Sequence, residues 1–130
     1  MPDWRAIVAI AVGGGIGSVL RYLVTIVMTQ RLGPGFPWST FAINVAGSLI
    51  IGIVAELSLT RTVLVSPLTR LFLMTGVLGG FTTFSTFSLD VVTLASERAA
   101  LFALAYAGGS VVIGFVAAFA GVVLVRALSI

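Results

Sequence analysis

Apolar residues form four long stretches along the chain, and short segments rich in proline, glycine or arginine separate them. A helix of about 20 residues is needed to cross about 30 Å of hydrocarbon. The pattern therefore predicts four transmembrane helices, at about residues 4–29, 38–59, 68–95 and 99–128. We expect an all-α membrane protein in which residues 1–130 form a single transmembrane domain.

The segments between the stretches have the composition of turns. Residues 31–37 include two prolines and two glycines, which cannot continue a helix. Ser66 and Pro67 precede the third stretch, and Glu97 and Arg98 mark a very short connection to the fourth.

The first stretch also needs comparison with a signal peptide, because residues 6–20 resemble an apolar signal core. Asp3 and the single Arg5 make a poor basic leader segment. We therefore expect a membrane helix here.

Composition supports lipid as the main solvent. Hydrophobic residues make up 59% of the chain and charged residues 8%, whereas a soluble domain has about 25% charged residues. The net charge of +3 does not indicate nucleic-acid binding, because all seven basic residues are arginines scattered along the chain. Histidine and cysteine are absent, so the usual triads and zinc sites cannot form and an enzyme is not expected.

Arginine positions give little information on orientation. If the two termini share a side, that side holds four arginines and the other side holds two. The bias is weak under the positive-inside rule, so insertion in both orientations is feasible. The two groups are Arg5, Arg61, Arg70 and Arg126 against Arg31 and Arg98.

The strongest local signal is the run at residues 79–88, in the middle of the third stretch. Two glycines are followed by five hydroxyl side chains within seven residues. This pattern favours a broken helix, whose non-helical backbone must be buried in protein or line a watery cavity. Freed carbonyls there could coordinate a cation. The alternative is an intact helix in which the hydroxyls bond to their own backbone.

Aromatic and polar residues in the spans offer a second kind of signal. Phe84 and Phe87 are three residues apart, and their positive ring edges could solvate a small anion. Asn44 and Ser48 are one turn apart, as are Tyr106 and Ser110. These polar side chains either bond neighbouring helices together or line a polar pathway. Ordinary packing remains the alternative for the phenylalanines.

Charged residues near the spans differ in depth. Arg21 lies well inside the first span, where it either snorkels to the far interface or is a buried cation that favours anions. Glu56 and Asp90 lie near span ends, and we expect water to reach both.

Three segments of the chain resemble the Fluc (CrcB-type) fluoride channels. They are GGIGSVLRY at residues 14–22, WSTFAINVAG at 38–47 and GVLGGFTTFSTF at 76–87. The resemblance implies a single channel domain that exports fluoride passively across the bacterial inner membrane and relieves its toxicity. It also implies an antiparallel, dual-topology homodimer with the third helix broken in mid-membrane. A structural sodium ion would bind the main-chain carbonyls of Gly79 and Thr82.

The resemblance also assigns side chains to the fluoride pathway, and it makes Arg21 a structural or vestibule-forming residue. Fluoride is small and strongly hydrated, so a pore must replace its water with close donors. The side chains implied are Asn44, Thr83, Phe84, Ser85, Thr86, Phe87, Tyr106 and Ser110.

Two other functions remain as alternatives. A small dual-topology exporter of cationic drugs would need a carboxylate in the middle of the first span, where Arg21 stands instead. A structural subunit of a membrane complex would explain the small residues spaced four apart, such as Gly13 and Gly17, which let helices pack closely. It would not explain the run at residues 79–88.

Overall fold

The computed structural model describes residues 1–128, and the regular structure in this range is entirely helical. Four helical spans are long and apolar enough to cross a membrane, which confirms the predicted number. The elements are α1 (Trp4–Leu32), α2 (Trp38–Thr60), α3 (Pro67–Arg70), a π-helical segment (Leu71–Leu78), α4 (Gly79–Phe81), α5 (Phe84–Glu97) and α6 (Ala100–Leu128).

The first helix continues to Leu32, three residues beyond the predicted end at residue 29. Gln30 and Arg31 end the apolar stretch but remain helical. The helix ends where Gly33 takes a φ of 77°, a conformation that glycine adopts without steric cost. The Gly33 N–H donates to the Thr29 carbonyl at 2.9 Å.

The third span begins at a well-formed cap. Ser66 Oγ accepts a hydrogen bond from the Thr69 N–H at 3.1 Å, and Pro67 occupies the first helical position. This span covers Pro67–Glu97, slightly more than the predicted 68–95. The loop of residues 61–66 therefore lies where the sequence placed it.

The π-helical segment packs directly against α1. A β-carbon on Gly13 would come 2.6 Å from the Phe72 carbonyl oxygen, and one on Gly17 would overlap the Val77 carbonyl oxygen. Both glycines are buried. Only glycine permits the two backbones to approach so closely.

Helices α2 and α6 run parallel and side by side. A β-carbon on Gly52 would overlap the Ala118 carbonyl, and Gly114 faces Ser48 one turn earlier. At the far end, Glu56 receives two hydrogen bonds from Arg126, Nε to Oε1 at 2.9 Å and Nη2 to Oε2 at 3.2 Å.

The expectation that water reaches Glu56 is wrong. The residue is 5% exposed because α6 covers it, and the arginine that pairs with it is 70 residues away in sequence. Near the opposite end of the molecule, a small core forms between α5 and α6 around Leu94, Ala103 and Tyr106.

Candidate functional site at the break in the third span

The third span is interrupted at two consecutive threonines. Thr82 and Thr83 have extended backbones, with ψ of 156° and 124°. Helix α5 then restarts at Phe84, and Thr83 Oγ1 caps it by accepting from the Thr86 N–H at 3.3 Å. The predicted break is confirmed.

The break does not lie at the glycines, which remain helical in α4. Gly80 instead permits close packing, because a β-carbon there would overlap the Gly14 carbonyl of α1. Thr82 and Thr83 are suited to the extended positions, since a β-branched side chain disfavours the helix and a hydroxyl caps the next one.

Asn44 of α2 holds the break in place. Its Oδ1 accepts from the Thr83 N–H at 3.0 Å, and its Nδ2 donates to the Thr83 carbonyl at 3.2 Å. Of the two roles that the sequence left open for Asn44, the structure shows the interhelical bond. One N–H of the carboxamide remains available for a further acceptor.

Two carbonyls at the break lose the partners that an unbroken helix would supply. In an unbroken helix the Thr83 N–H would donate to the Gly79 carbonyl, but here it donates to Asn44 Oδ1. Likewise, the Thr86 N–H would donate to the Thr82 carbonyl, but here it donates to the Thr83 hydroxyl. Both carbonyls are therefore free of their helical donors, and carbonyl oxygens suit a hard cation.

Two cavities meet at Thr83. A cleft of about 610 Å³ extends to this residue from the loop at residues 33–37. A cavity of about 330 Å³ continues on the other side, lined by Asn44, Ser48, Thr82, Thr83 and Phe84 among others. We refer to these as the outer cleft and the inner cavity.

Helix α5 presents a polar stripe to the outer cleft. Its members are three or four residues apart, the spacing of a single helix face. They are Thr83, Thr86, Asp90, Thr93 and Glu97, and all of them line the cleft.

Arg21, half-buried on α1, lines the same cleft. The vestibule role of Arg21 stays a prediction. Asp90 also contributes here, and it accepts a hydrogen bond from the Tyr106 hydroxyl at 3.1 Å. We missed the stripe in the sequence, although its spacing was visible there.

The remaining predicted pathway residues lie close to the break. Phe84 is 78% exposed, and its ring centroid is 5.9 Å from that of Phe87. The Phe87 ring is in turn 5.3 Å from Tyr106, which is only 2% exposed. These three rings form a row from the break into the α5–α6 core.

Four predicted residues line neither the outer cleft nor the inner cavity in the single chain: Ser85, Phe87, Tyr106 and Ser110. Ser110 Oγ is buried and makes no hydrogen bond within the described residues. Ser85 Oγ lies 3.4 Å from Thr83 Oγ1. Their part in fluoride passage stays a prediction.

The fold and this site define a multi-pass membrane protein with an interrupted helix beside a polar cavity. The family described as CrcB-like protein, Camphor Resistance (CrcB), matches residues 8–122. The chain belongs to this family, which confirms the resemblance seen in the sequence.

Relatives over nearly the full length carry the name fluoride-specific ion channel FluC. The protein from Rhizobium meliloti is 49% identical over 122 residues, which cover 94% of this chain and 97% of the relative. The protein from Nitrobacter winogradskyi is 50% identical over 125 residues, covering 96% and 98%. These names are those of ion channels, in agreement with the expectation that the chain is not an enzyme.

Proposed function

We propose that this protein is a fluoride channel through which fluoride leaves the cell passively. The observation that carries the proposal is the helix break held by Asn44 beside the inner cavity. An interrupted helix in the membrane provides uncharged donors without a buried formal charge of its own. Relatives of about 50% identity bear the name of fluoride-specific channels.

The two cavities suggest the route. Fluoride would enter the outer cleft, where Arg21 and Arg98 offset the carboxylates of Asp90 and Glu97 and threonine hydroxyls replace part of its hydration shell. It would pass Thr83, which lines both cavities. In the inner cavity it would meet the free N–H of Asn44 and the ring of Phe84, whose positive edge attracts an anion.

A sodium ion would be coordinated by the carbonyl oxygens of Gly79 and Thr82, because the N–H groups that would bond to them in a helix donate elsewhere. The ion would supply a fixed positive charge near the route and so favour an anion there. Thr83 and Asn44 would keep the two carbonyls in position.

We also infer that two copies assemble as an antiparallel homodimer. Phe84 is 78% exposed in the single chain although it adjoins the break, and a second copy would cover it. Apart from Arg21, which lies within the first span, the arginines are divided four to two between the two ends, which permits insertion in both orientations.

Anion efflux from liposomes tests the function. Purified protein is reconstituted in liposomes loaded with potassium fluoride or potassium chloride, and loss of each anion is followed by an ion-selective electrode. We expect rapid loss of fluoride and little loss of chloride. A correctly folded protein that passes no fluoride would contradict the proposed function.

The sodium proposal has a separate test. Thermal unfolding of the purified protein is compared in sodium and in N-methylglucamine at equal ionic strength. A ligand present at about 100 times its Kd stabilises the folded state by about 2.7 kcal/mol. We expect a higher Tm in sodium, and equal Tm values in the two buffers would contradict a bound sodium ion.

A further inference from the structure

We propose that the Ser48 hydroxyl is a second hydrogen-bond donor to the permeating fluoride, one helical turn from Asn44 in the inner cavity. This inference rests on the proposed function and extends it to a residue that the family resemblance did not place in the pathway and for which the sequence left two roles open.

The polar side chains that line the inner cavity are Asn44, Ser48, Thr82 and Thr83. Two of them have already used their hydroxyl protons. Thr82 donates to the Leu78 carbonyl at 2.8 Å, and Thr83 donates to Thr86 Oγ1 at 3.2 Å. An anion needs donors, so neither hydroxyl serves it without first breaking a bond.

Two backbone donors at the break are also occupied. The Thr82 N–H donates to the Leu78 carbonyl at 3.0 Å, and the Thr83 N–H donates to Asn44 Oδ1. The side-chain donors left in the cavity are therefore the second N–H of Asn44 and the hydroxyl of Ser48.

The Ser48 hydroxyl does not bond to its own helix, a state it shares with Ser18, Thr75 and Ser110 among the described residues. Six other serine and threonine side chains donate to the carbonyl four residues earlier: Thr25, Ser58, Thr60, Thr82, Ser88 and Ser96. Within residues 1–128, Ser48 makes no such bond. Ser48 is half-buried and lines the inner cavity, so its proton can be donated to a passing acceptor without first breaking another bond.

Gly114 of α6 lies opposite Ser48. A β-carbon at that position would be in ordinary van der Waals contact with Ser48 Oγ, at 3.5 Å. The glycine therefore places no side chain on the hydroxyl from α6.

Asn44 and Ser48 project from the same face of α2, and successive turns of a helix are about 5.4 Å apart. Donors at this spacing allow a fluoride ion to bond to one before it leaves the other. Conduction requires several sites of moderate strength, because one strong site would hold the ion. Ser48 would supply the next such site after Asn44.

Fluoride efflux from liposomes tests the role of Ser48, with Ser58→Ala as the matched control. Ser58 is on the same helix, but its hydroxyl bonds to the Val54 carbonyl at 2.6 Å and lies outside the inner cavity. We expect Ser48→Ala to slow fluoride efflux about ten-fold, the effect of one lost hydrogen bond to an anion. Ser58→Ala should conduct within about two-fold of the wild type.

A second pair of variants separates donation from packing. Ser48→Thr and Ser48→Val have nearly the same shape, but only the threonine retains a hydroxyl. We expect the threonine variant to conduct about ten-fold faster than the valine variant. Equal rates for this pair, or for Ser48→Ala and the wild type, would overturn the role of Ser48 while leaving the channel function intact. A wild type that passes no fluoride would instead overturn the function itself.

Discussion

Asn44 contacts Thr83 through both polar atoms of its carboxamide, accepting from the N–H at 3.0 Å and donating to the carbonyl at 3.2 Å. One side chain of α2 thus fixes the extended residue at which the third span is interrupted. The same bond diverts the Thr83 N–H from the Gly79 carbonyl. The shape of the break and the proposed cation site therefore depend on a single asparagine.

Asn44→Ala should both destabilise the protein and reduce conduction. The Thr83 N–H would lose its acceptor at a half-buried position, which costs about 1–3 kcal/mol. Thermal unfolding in detergent measures the first effect, and fluoride efflux from liposomes measures the second. A variant as stable and as conductive as the wild type would show that the contact has no part in the site.

Phe84→Ile should abolish most fluoride efflux, because the aliphatic side chain has no positive ring edge. Phe115→Ile is the matched control. Phe115 is 74% exposed and Phe84 78%, but Phe115 lies on α6 and does not line the inner cavity. We expect efflux to fall by about 100-fold or more in the first variant, equivalent to about 2.7 kcal/mol. Comparable losses in both variants would indicate a general effect on folding.

The sequence predicted the spans well because the apolar length of a membrane helix is a local property. It also predicted the break, since several hydroxyls follow two glycines. It did not predict that the glycines themselves stay helical, because the role of Gly80 is to permit contact with α1. Contacts between distant residues, such as Glu56 with Arg126, leave no local pattern.

The π-helical segment was also absent from the prediction. Its sequence, LFLMTGVL, is apolar and would suit an ordinary α-helix equally well. What distinguishes it is its environment, since it packs against Gly13 and Gly17 of α1. The sequence named Asn44 and Ser48 together and left the same two roles open for both. Their hydrogen bonds separate them, because Asn44 bonds to Thr83 whereas Ser48 makes no side-chain bond within the described residues.

Gly17→Ala should destabilise the fold, whereas Gly15→Ala should not. A β-carbon on Gly17 would overlap the Val77 carbonyl oxygen, but one on Gly15 would meet nothing within 4 Å. Overpacking typically costs about 1–3 kcal/mol, while alanine is favoured over glycine within a helix by about 1 kcal/mol. Thermal unfolding should give a lower Tm for the first variant and an unchanged or higher Tm for the second. Equal effects would contradict the close contact.

The proposed antiparallel arrangement predicts that each loop is found on both sides of the membrane. The chain has no cysteine, so Thr62→Cys in the exposed loop introduces a single thiol. An impermeant thiol reagent applied to intact cells should label about half of the protein if the two orientations are equal. Labelling of all or none of it would indicate one orientation. Permeabilised cells, in which the whole population should react, are the control.

Arg126→Gln should destabilise the protein more than Glu56→Gln, although both substitutions remove the same ion pair. The Glu56 side chain is 7% exposed and that of Arg126 66% exposed. Loss of the arginine leaves a buried carboxylate without its partner, which is strongly unfavourable. Loss of the glutamate leaves an arginine that water can solvate.

The double variant should therefore resemble Glu56→Gln rather than the sum of the two. Thermal unfolding of the four proteins completes the cycle, and Arg31→Gln, at an exposed position outside any described ion pair, is the control for loss of charge. Equal and additive falls in Tm would show that Glu56 and Arg126 do not act as a pair. The predicted asymmetry would instead show that the arginine is present because the carboxylate is buried between α2 and α6.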